Sequence, residues 1–350
     1  MNHLGGHPMN EMTIVPMSEE QLPNVVALLL AQEARQWARD PRLRTARLHE
    51  AVAAALAGSC EQALVACDAR GRVRGSVQPS VWQLEETSIL RAFLSARNGI
   101  ARHMILPDPN EKDAEAILDG LLSALSAWWE GQGTTGDLVR WPSADSWIEP
   151  SLAAQGFRLD SVCAARGSHV LARRRSPPDI VTRQAWPADE ALLIRLFEEE
   201  LQYHERFTPF VRRSPAVLTA FRRKLARRWA GTSLEDGAPL IVVAERDGEV
   251  VGMVETTLFS VLPDDEPGLT PPGCYGCFDN VSVRENLREQ GIGHLLVQAV
   301  YDAFAARSLH LDGWLLWYNP DNPQAAHFWP RRGFVPLWTT YQRLHPSTEG

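Results

Sequence analysis

A chain of 350 residues with 45% apolar and 22% charged residues has the composition of a soluble globular protein with room for two ordinary domains. Its 35 basic and 43 acidic residues give a net charge of -8, which argues against nucleic acid or anionic membrane as the main partner. No apolar run approaches a bilayer span, and the opening MNHLGGHPMNEM lacks the basic-then-apolar order of a secretory signal. The expectation is a cytoplasmic protein, monomer or homodimer, with residues 1–12 as a flexible leader.

From Thr13, TIVPMSEEQLPNVVALLL reads as a short strand, a polar turn and a helix with apolar residues three and four apart. ALVACDARGRVRGSV, from Ala63, reads as strand, turn at Gly71, strand. LPDPNEKDAEAILDGLL then starts a helix with Pro109, acidic residues and alanines, and LAAQGFRLD carries Gly156-Phe157. RRRSPPD, Arg173 to Asp179, is basic, polar and Pro-containing, and reads as a linker over 173–179. The pattern then starts again with DIVTRQAWPADEALLIRLF from Asp179. LIVVAERDGEVVGMV, from Leu240, places Gly248 at an offset of 177 residues from Gly71, and the same offset carries Gly156-Phe157 onto Gly333-Phe334. One register held over nearly a hundred residues marks an internal repeat.

Each half therefore reads strand, helices, hairpin, strand, helix, strand, helix, strand. That order predicts a mixed α/β (α+β) architecture of two tandem domains, residues 13–172 and 180–346, each a mixed sheet flanked by helices. The halves are expected to pack through a shared face, with several of the twelve tryptophans there. Between the third and fourth strands of the second half, LPDDEPGLTPPG (Leu262 to Gly273) is an acidic, Pro- and Gly-rich insertion able to cover a ligand or reach the other half.

Five cysteines do not form a disulfide framework. Cys274 and Cys277 have no second pair or His pair nearby to complete a zinc site, and strand alternation separates their sulfurs, so no metal is expected.

The stretch VSVRENLREQGIGHLL, Val281 to Leu296, carries the main functional signal. A β-branched strand end runs into a loop that delivers Gly291 and Gly293 to a helix N-terminus. The first N–H groups of a helix have no intrahelical partners, the helix dipole is positive there, and glycine lets an anion approach. That makes a pyrophosphate cradle, with Arg288 able to add charge. Taken alone, the two glycines fit a tight turn or close helix packing equally well. Neither the P-loop nor the dinucleotide fingerprint is present.

Arg288-x-x-Gly291-x-Gly293 after a strand resembles the acetyl-CoA-binding motif of the GNAT N-acetyltransferases. NPQAAHFWPRRGF, Asn322 to Phe334, resembles the next motif of that family, and the Gly248 hairpin fits its second and third strands. The resemblance covers about residues 179 to 346. It implies that backbone groups of Val281 and Val283 pair with the pantetheine arm, and that amides from Arg288 through Gln290, Gly291, Ile292 and Gly293 to His294 hold the pyrophosphate. Asn322 is expected near the pantetheine or shaping the helix that carries Phe328.

In the first half the same offset puts Glu111 at the place of Arg288, Ala114 at Gly291 and Ala116 at Gly293. A carboxylate and two methyls stand where a pyrophosphate needs space and positive charge. The first half is expected to be a degenerate copy.

Acetyl transfer to an amine needs a base and an acid. Asp279 lies two residues before Val281, so alternation places both on one strand face, and it is the first candidate base. Glu255 is the second, although it can equally point to solvent. Trp329 stands where many relatives carry a Tyr acid, which makes Tyr318 a substitute candidate. Tyr203, His204 and Phe207 fall where family members line the acceptor pocket. The reading is an N-acetyltransferase acting on a primary amine, with acetyl-CoA as co-substrate. The alternatives are a protein or peptide N-terminal acetyltransferase and a non-catalytic acyl-CoA-binding or interaction protein.

Overall fold

A computed structural model of the protein describes residues 12–43, 48–58, 60–168, 179–262 and 270–345. The expected leader up to residue 11, linker residues 173–178 and most of the insertion after Leu262 lie outside the described residues.

The first half contributes β1 (Thr13–Pro16), α1 (Leu22–Arg39), α2 (Leu48–Ala57), β2 (Leu64–Cys67), β3 (Val73–Gln83) and β4 (Arg97–Ile105). It continues with α3 (Ala114–Gly131), β5 (Gly136–Pro142), α4 (Glu149–Ala154) and β6 (Arg158–Gly167). The second half contributes β7 (Ile180–Gln184), α5 (Glu190–His204), α6 (Pro215–Trp229), β8 (Leu240–Arg246), β9 (Glu249–Val261) and β10 (Gly273–Val283). After these come α7 (Ile292–Ala306), β11 (Gly313–Tyr318), α8 (Pro323–Phe328) and β12 (Val335–Leu344). The repeat is exact at its turns. Gly71 and Gly248 have φ of 73° and 80°, and Gly156 and Gly333 have φ of 82° and 78°, a conformation that glycine adopts without a Cβ penalty.

Each half-sheet is covered on both faces because its strands alternate between two cores. In the second half Val242, Val251 and Val254 pack with α7, whereas Val243, Val250 and Met253 pack with α5 and α6. In the first half Ala66 and Val77 pack with α3, whereas Val65 and Cys67 pack with α1 and α2.

The halves do not meet face to face as expected. Among the described residues twelve strands form one sheet, ordered β1-β2-β3-β4-β5-β12-β6-β11-β10-β9-β8-β7. The last strand of each half has crossed to the other: β12 pairs antiparallel with β5, and β6 pairs antiparallel with β11. β6 and β12 pair with each other at the centre. Edge-to-edge joining satisfies backbone groups that two separate sheets would leave on exposed edges. The tryptophans divide accordingly: Trp129 lies in the first-half core and Trp314 in the second-half core.

An arginine on each exchanged strand reaches into the half that its strand has joined. Arg166 on β6 donates to the Tyr301 hydroxyl of α7 at 2.7 Å. Arg343 on β12, at the same repeat position, binds the fully buried Asp137 of β5 at 2.5 Å, and His345 reaches the same carboxylate at 2.6 Å. No helix among the described residues is long and apolar enough to cross a membrane.

Candidate active site

The parallel ladder between β10 and β11 ends at Phe278 and Leu316, and beyond it β10 continues to Val283 paired only with β9. The Arg284 N–H bonds Val251 O at 3.0 Å, which sets the phase of the antiparallel ladder. Residues 280, 282 and 284 turn their backbone groups to β9, so those of Val281 and Val283 face the gap that opens toward β11.

The loop that follows carries two left-handed residues, Glu289 at φ 64° and Gly291 at φ 85°. Gly291 is the N-cap of α7, and a Cβ built on it meets nothing within 4 Å. The first intrahelical bond runs from His294 N–H to Gly291 O at 3.0 Å. The N–H groups of Gly291, Ile292 and Gly293 precede that bond and lie at the positive end of the helix. The two glycines have different tasks. A Cβ on Gly293 would come 3.0 Å from the Phe328 ring, so Gly293 admits α8 against α7.

Other expected contacts are committed to the protein itself. Asn322 is 4% exposed and caps α8, its Oδ1 accepting from Gln324 and Ala325 N–H at 3.1 and 3.3 Å, so it shapes the helix carrying Phe328. Gln290 accepts from Arg246. Ile292 is a core residue. Arg288 donates through Nε to Val283 O at 3.0 Å and lays its guanidinium on the Tyr203 ring, leaving Nη1 buried without a partner. Tyr203 stacks edge-on with Phe207 and lines a cleft of about 350 Å³ with Arg206, Arg284 and Arg288. Tyr203 and Phe207 thus adjoin the α7 loop, whereas His204 turns to Glu200 at 3.5 Å.

Asp279 does not share a face with Val281. Phe278 pairs with Thr256 and Asn280 with Glu255, so Asp279 is the extra residue of a β-bulge, which breaks the alternation. Val281 packs toward α7. Asp279 goes to the opposite face, where its Oδ2 accepts from Thr257 at 2.9 Å and from Lys224 of α6 at 3.1 Å. Glu255 does not point to solvent: it is 3% exposed, and its Oε1 lies 2.5 Å from Lys224 Nζ. Burial pushes the Glu255 carboxyl above the usual range. The Lys224 ammonium opposes that rise, while Asp279 and Glu200 add to it. Burial pulls Lys224 down, but Glu255 and Asp279 outweigh it and hold the ammonium above the ordinary lysine range.

Lys224 escaped the sequence reading. The available signal was composition: it is one of two lysines among 35 basic residues. Tyr318 and Trp329 both sit in the core on the α7 side, Trp329 against Phe278, Phe328 and Phe334. Burial raises the Tyr318 hydroxyl further from the range of a working acid. Among the described residues no three His, Cys, Asp or Glu side chains are grouped to hold a metal.

The matching splay in the first half is filled. Met104 and Leu106 stand 177 residues before Val281 and Val283. The Gln32 amide of α1 donates to Met104 O at 3.1 Å and accepts from Leu106 N–H at 2.7 Å. Arg35 donates to Leu106 O and Pro107 O. The loop before α3 is drawn to β3 by Arg74, which binds Glu111 at 2.5 Å and Asp113 at 2.9 Å. The N-cap of α3 is Asp113 at φ -105°, and no left-handed residue is present in that loop.

Residues 196–334, from α5 to the turn before β12, match the family model described as the acetyltransferase (GNAT) family. No curated protein sequence matches the chain. Among solved structures it is similar to a GCN5-related N-acetyltransferase from Sphaerobacter thermophilus, at 14% identity and a TM-score of 0.56 over 97% of this chain and 98% of that one. It is also similar to a tandem GNAT protein from the clavulanic acid biosynthesis pathway, at 14% identity and a TM-score of 0.45 over 96% of this chain and 100% of that one. The fold is that of two GNAT-like units, each a mixed sheet flanked by helices.

Proposed function

We propose that the protein is an acetyl-CoA-dependent N-acetyltransferase whose second half alone holds the coenzyme and whose acceptor is a small cationic amine. The observation that carries this reading is the contrast between the two splays: Gln32 and Arg35 close one, whereas among the described residues the other receives a single side-chain bond, from Arg288 Nε to Val283 O. Residues 13–172 then form a supporting copy and 180–346 the coenzyme-binding unit, with β6 and β12 exchanged between them.

The residues present fit the group. Val281 and Val283 offer a strand edge on which Arg288 Nε already bonds Val283 O, Gly291 leaves room at a positive helix end, and the Nη1 of Arg288 is free to donate. When bound, acetyl-CoA supplies an activated acyl carbonyl. An amine is protonated near neutral pH and attacks only as the free base. Glu255, buried and raised, accepts that proton. Lys224 holds Glu255 in place and is itself held by Asp279, and the surplus of carboxylates over cations attracts an ammonium group.

Release of free thiol from acetyl-CoA on addition of 1,5-diaminopentane tests the reading. Glu255→Gln should lower kcat/KM by about 10²–10⁴-fold while acetyl-CoA still binds. Binding of acetyl-CoA with no amine-dependent thiol release would instead leave an acyl-CoA-binding protein.

A further inference from the structure

The exchange of last strands brings a first-half carboxylate, Asp160 of β6, into the sheet of the second half. In the β6–β12 ladder Thr340 pairs with Ser161 and Tyr341 with Leu159, so Asp160 is the extra residue of a bulge. Bulges re-aim side chains, and here the carboxyl accepts from Ser161 Oγ at 2.9 Å and from Gln342. Gln342 also donates to Phe93 O, in the first-half loop whose neighbours Ala92, Leu94 and Ser95 are bonded by Arg212, beyond α5. Asp160 therefore faces the α5 side of the sheet. Burial raises its carboxyl, and His204 of α5 is near enough to draw it back.

Two further observations set Asp160 apart from a structural carboxylate. The repeat places Leu337 at its position on β12, and Leu337 is also the extra residue of a bulge, between Pro336 and Trp338. Leu337 is 2% exposed, so the fold accepts an apolar residue at that bulge. On the same face, Asn280 is 6% exposed with Oδ1 unpartnered, and the Oε2 of Glu200 is buried without a partner. Glu200 links the two ends: its charge acts on Glu255, and its Oε1 lies 3.5 Å from His204.

We propose that Asp160, carried by the exchanged strand, forms the far wall of the acceptor cleft and binds a second cationic group on the amine, selecting diamine-like acceptors. The proposal rests on the acetyltransferase reading for the identity of the cleft. Glu255 and Asp279 receive the reacting amine, and Asp160 with Glu200 receives the distal cation. The first half then acts as a specificity element rather than a spent copy.

The test compares 1,5-diaminopentane with pentylamine, by calorimetric binding in the presence of CoA and by turnover. Asp160→Asn should weaken diamine binding and raise its KM about tenfold, with kcat, acetyl-CoA affinity and the KM of pentylamine unchanged. Asp160→Glu should restore most of the diamine preference. Asp160→Leu, which copies the other bulge, should melt at the wild-type temperature and lose the preference. Equal effects on both amines, no effect on either, or no binding of the diamine to the wild type would overturn the proposal. Diamine binding that depends on Asp160 without turnover would sustain it and count against the acetyltransferase reading alone.

Discussion

At the end of β4 the Gln32 amide bridges Met104 and Leu106, while at the end of β10 the matching groups of Val281 and Val283 face a gap that no strand fills. Both strands carry a bulge near this point: in β4 at His103 or Met104, where His103 has φ 47°, and in β10 at Asp279, one or two repeat positions earlier. An arginine bonds the last carbonyl of each splay, Leu106 O and Val283 O, and the halves differ in the Gln32 amide that closes the first. Buried N–H and C=O groups must be paired, and in the first half side chains of α1 do so.

The largest expected difference between the halves concerns their arginine staples. Arg343→Met strips a buried Asp137 of a charged partner and should cost about 3–5 kcal/mol. Arg166→Met gives up a bond to a neutral hydroxyl and should cost about 1 kcal/mol. Urea unfolding of the two variants measures both, and equal costs would show that the pairing to Asp137 does not distinguish the staples.

Buried carboxyls give the next contrast. Glu255 has Lys224, whereas Glu33 of α1 is 2% exposed with both oxygens unpartnered, and burial raises it to about 7. Between its unfolded value near 4.5 and that raised value, the folded state holds more protons than the unfolded one, so stability falls as pH rises through this window. Glu33→Gln should remove about 2–3 kcal/mol of that decline, read from urea midpoints at pH 5 and pH 8.

Opening the filled splay is a smaller step. Gln32→Ala leaves Met104 O and Leu106 N–H unpaired and should cost about 1–3 kcal/mol. It should not create a second coenzyme site, because Glu111 and Asp113 remain at the loop. A gain of acetyl-CoA binding in this variant would show that the amide alone closes the first half.

The smallest effect is a shift in a pH profile. With Glu255 as the proposed base, the acid limb of kcat/KM is expected to follow its ionisation, and the Lys224 ammonium favours the ionised form. Lys224→Met should therefore move that limb to higher pH. A limb that stays in place would assign the base elsewhere.

The repeat, the fold class and the Gly291 loop were legible because they rest on local patterns: apolar spacing, turn glycines and a constant offset of 177 residues. The strand exchange was not legible, since β6 and β12 have the same alternation whichever half they join. The bulges escaped for a related reason. One extra residue in a ladder changes which side chains share a face and leaves composition untouched, so Asp279 was assigned to the wrong face and Asp160 went unnoticed. Gly293 shows the converse: a motif glycine can serve helix packing while its neighbour Gly291 keeps the space.

Calorimetric titration with acetyl-CoA tests the central contrast most directly, using the full chain and Gly291→Glu with its circular dichroism and melting temperature checked. One site per chain, abolished in a folded Gly291→Glu, is the expected result. Two sites, or one that survives the substitution, would place the coenzyme in the first half and contradict the account.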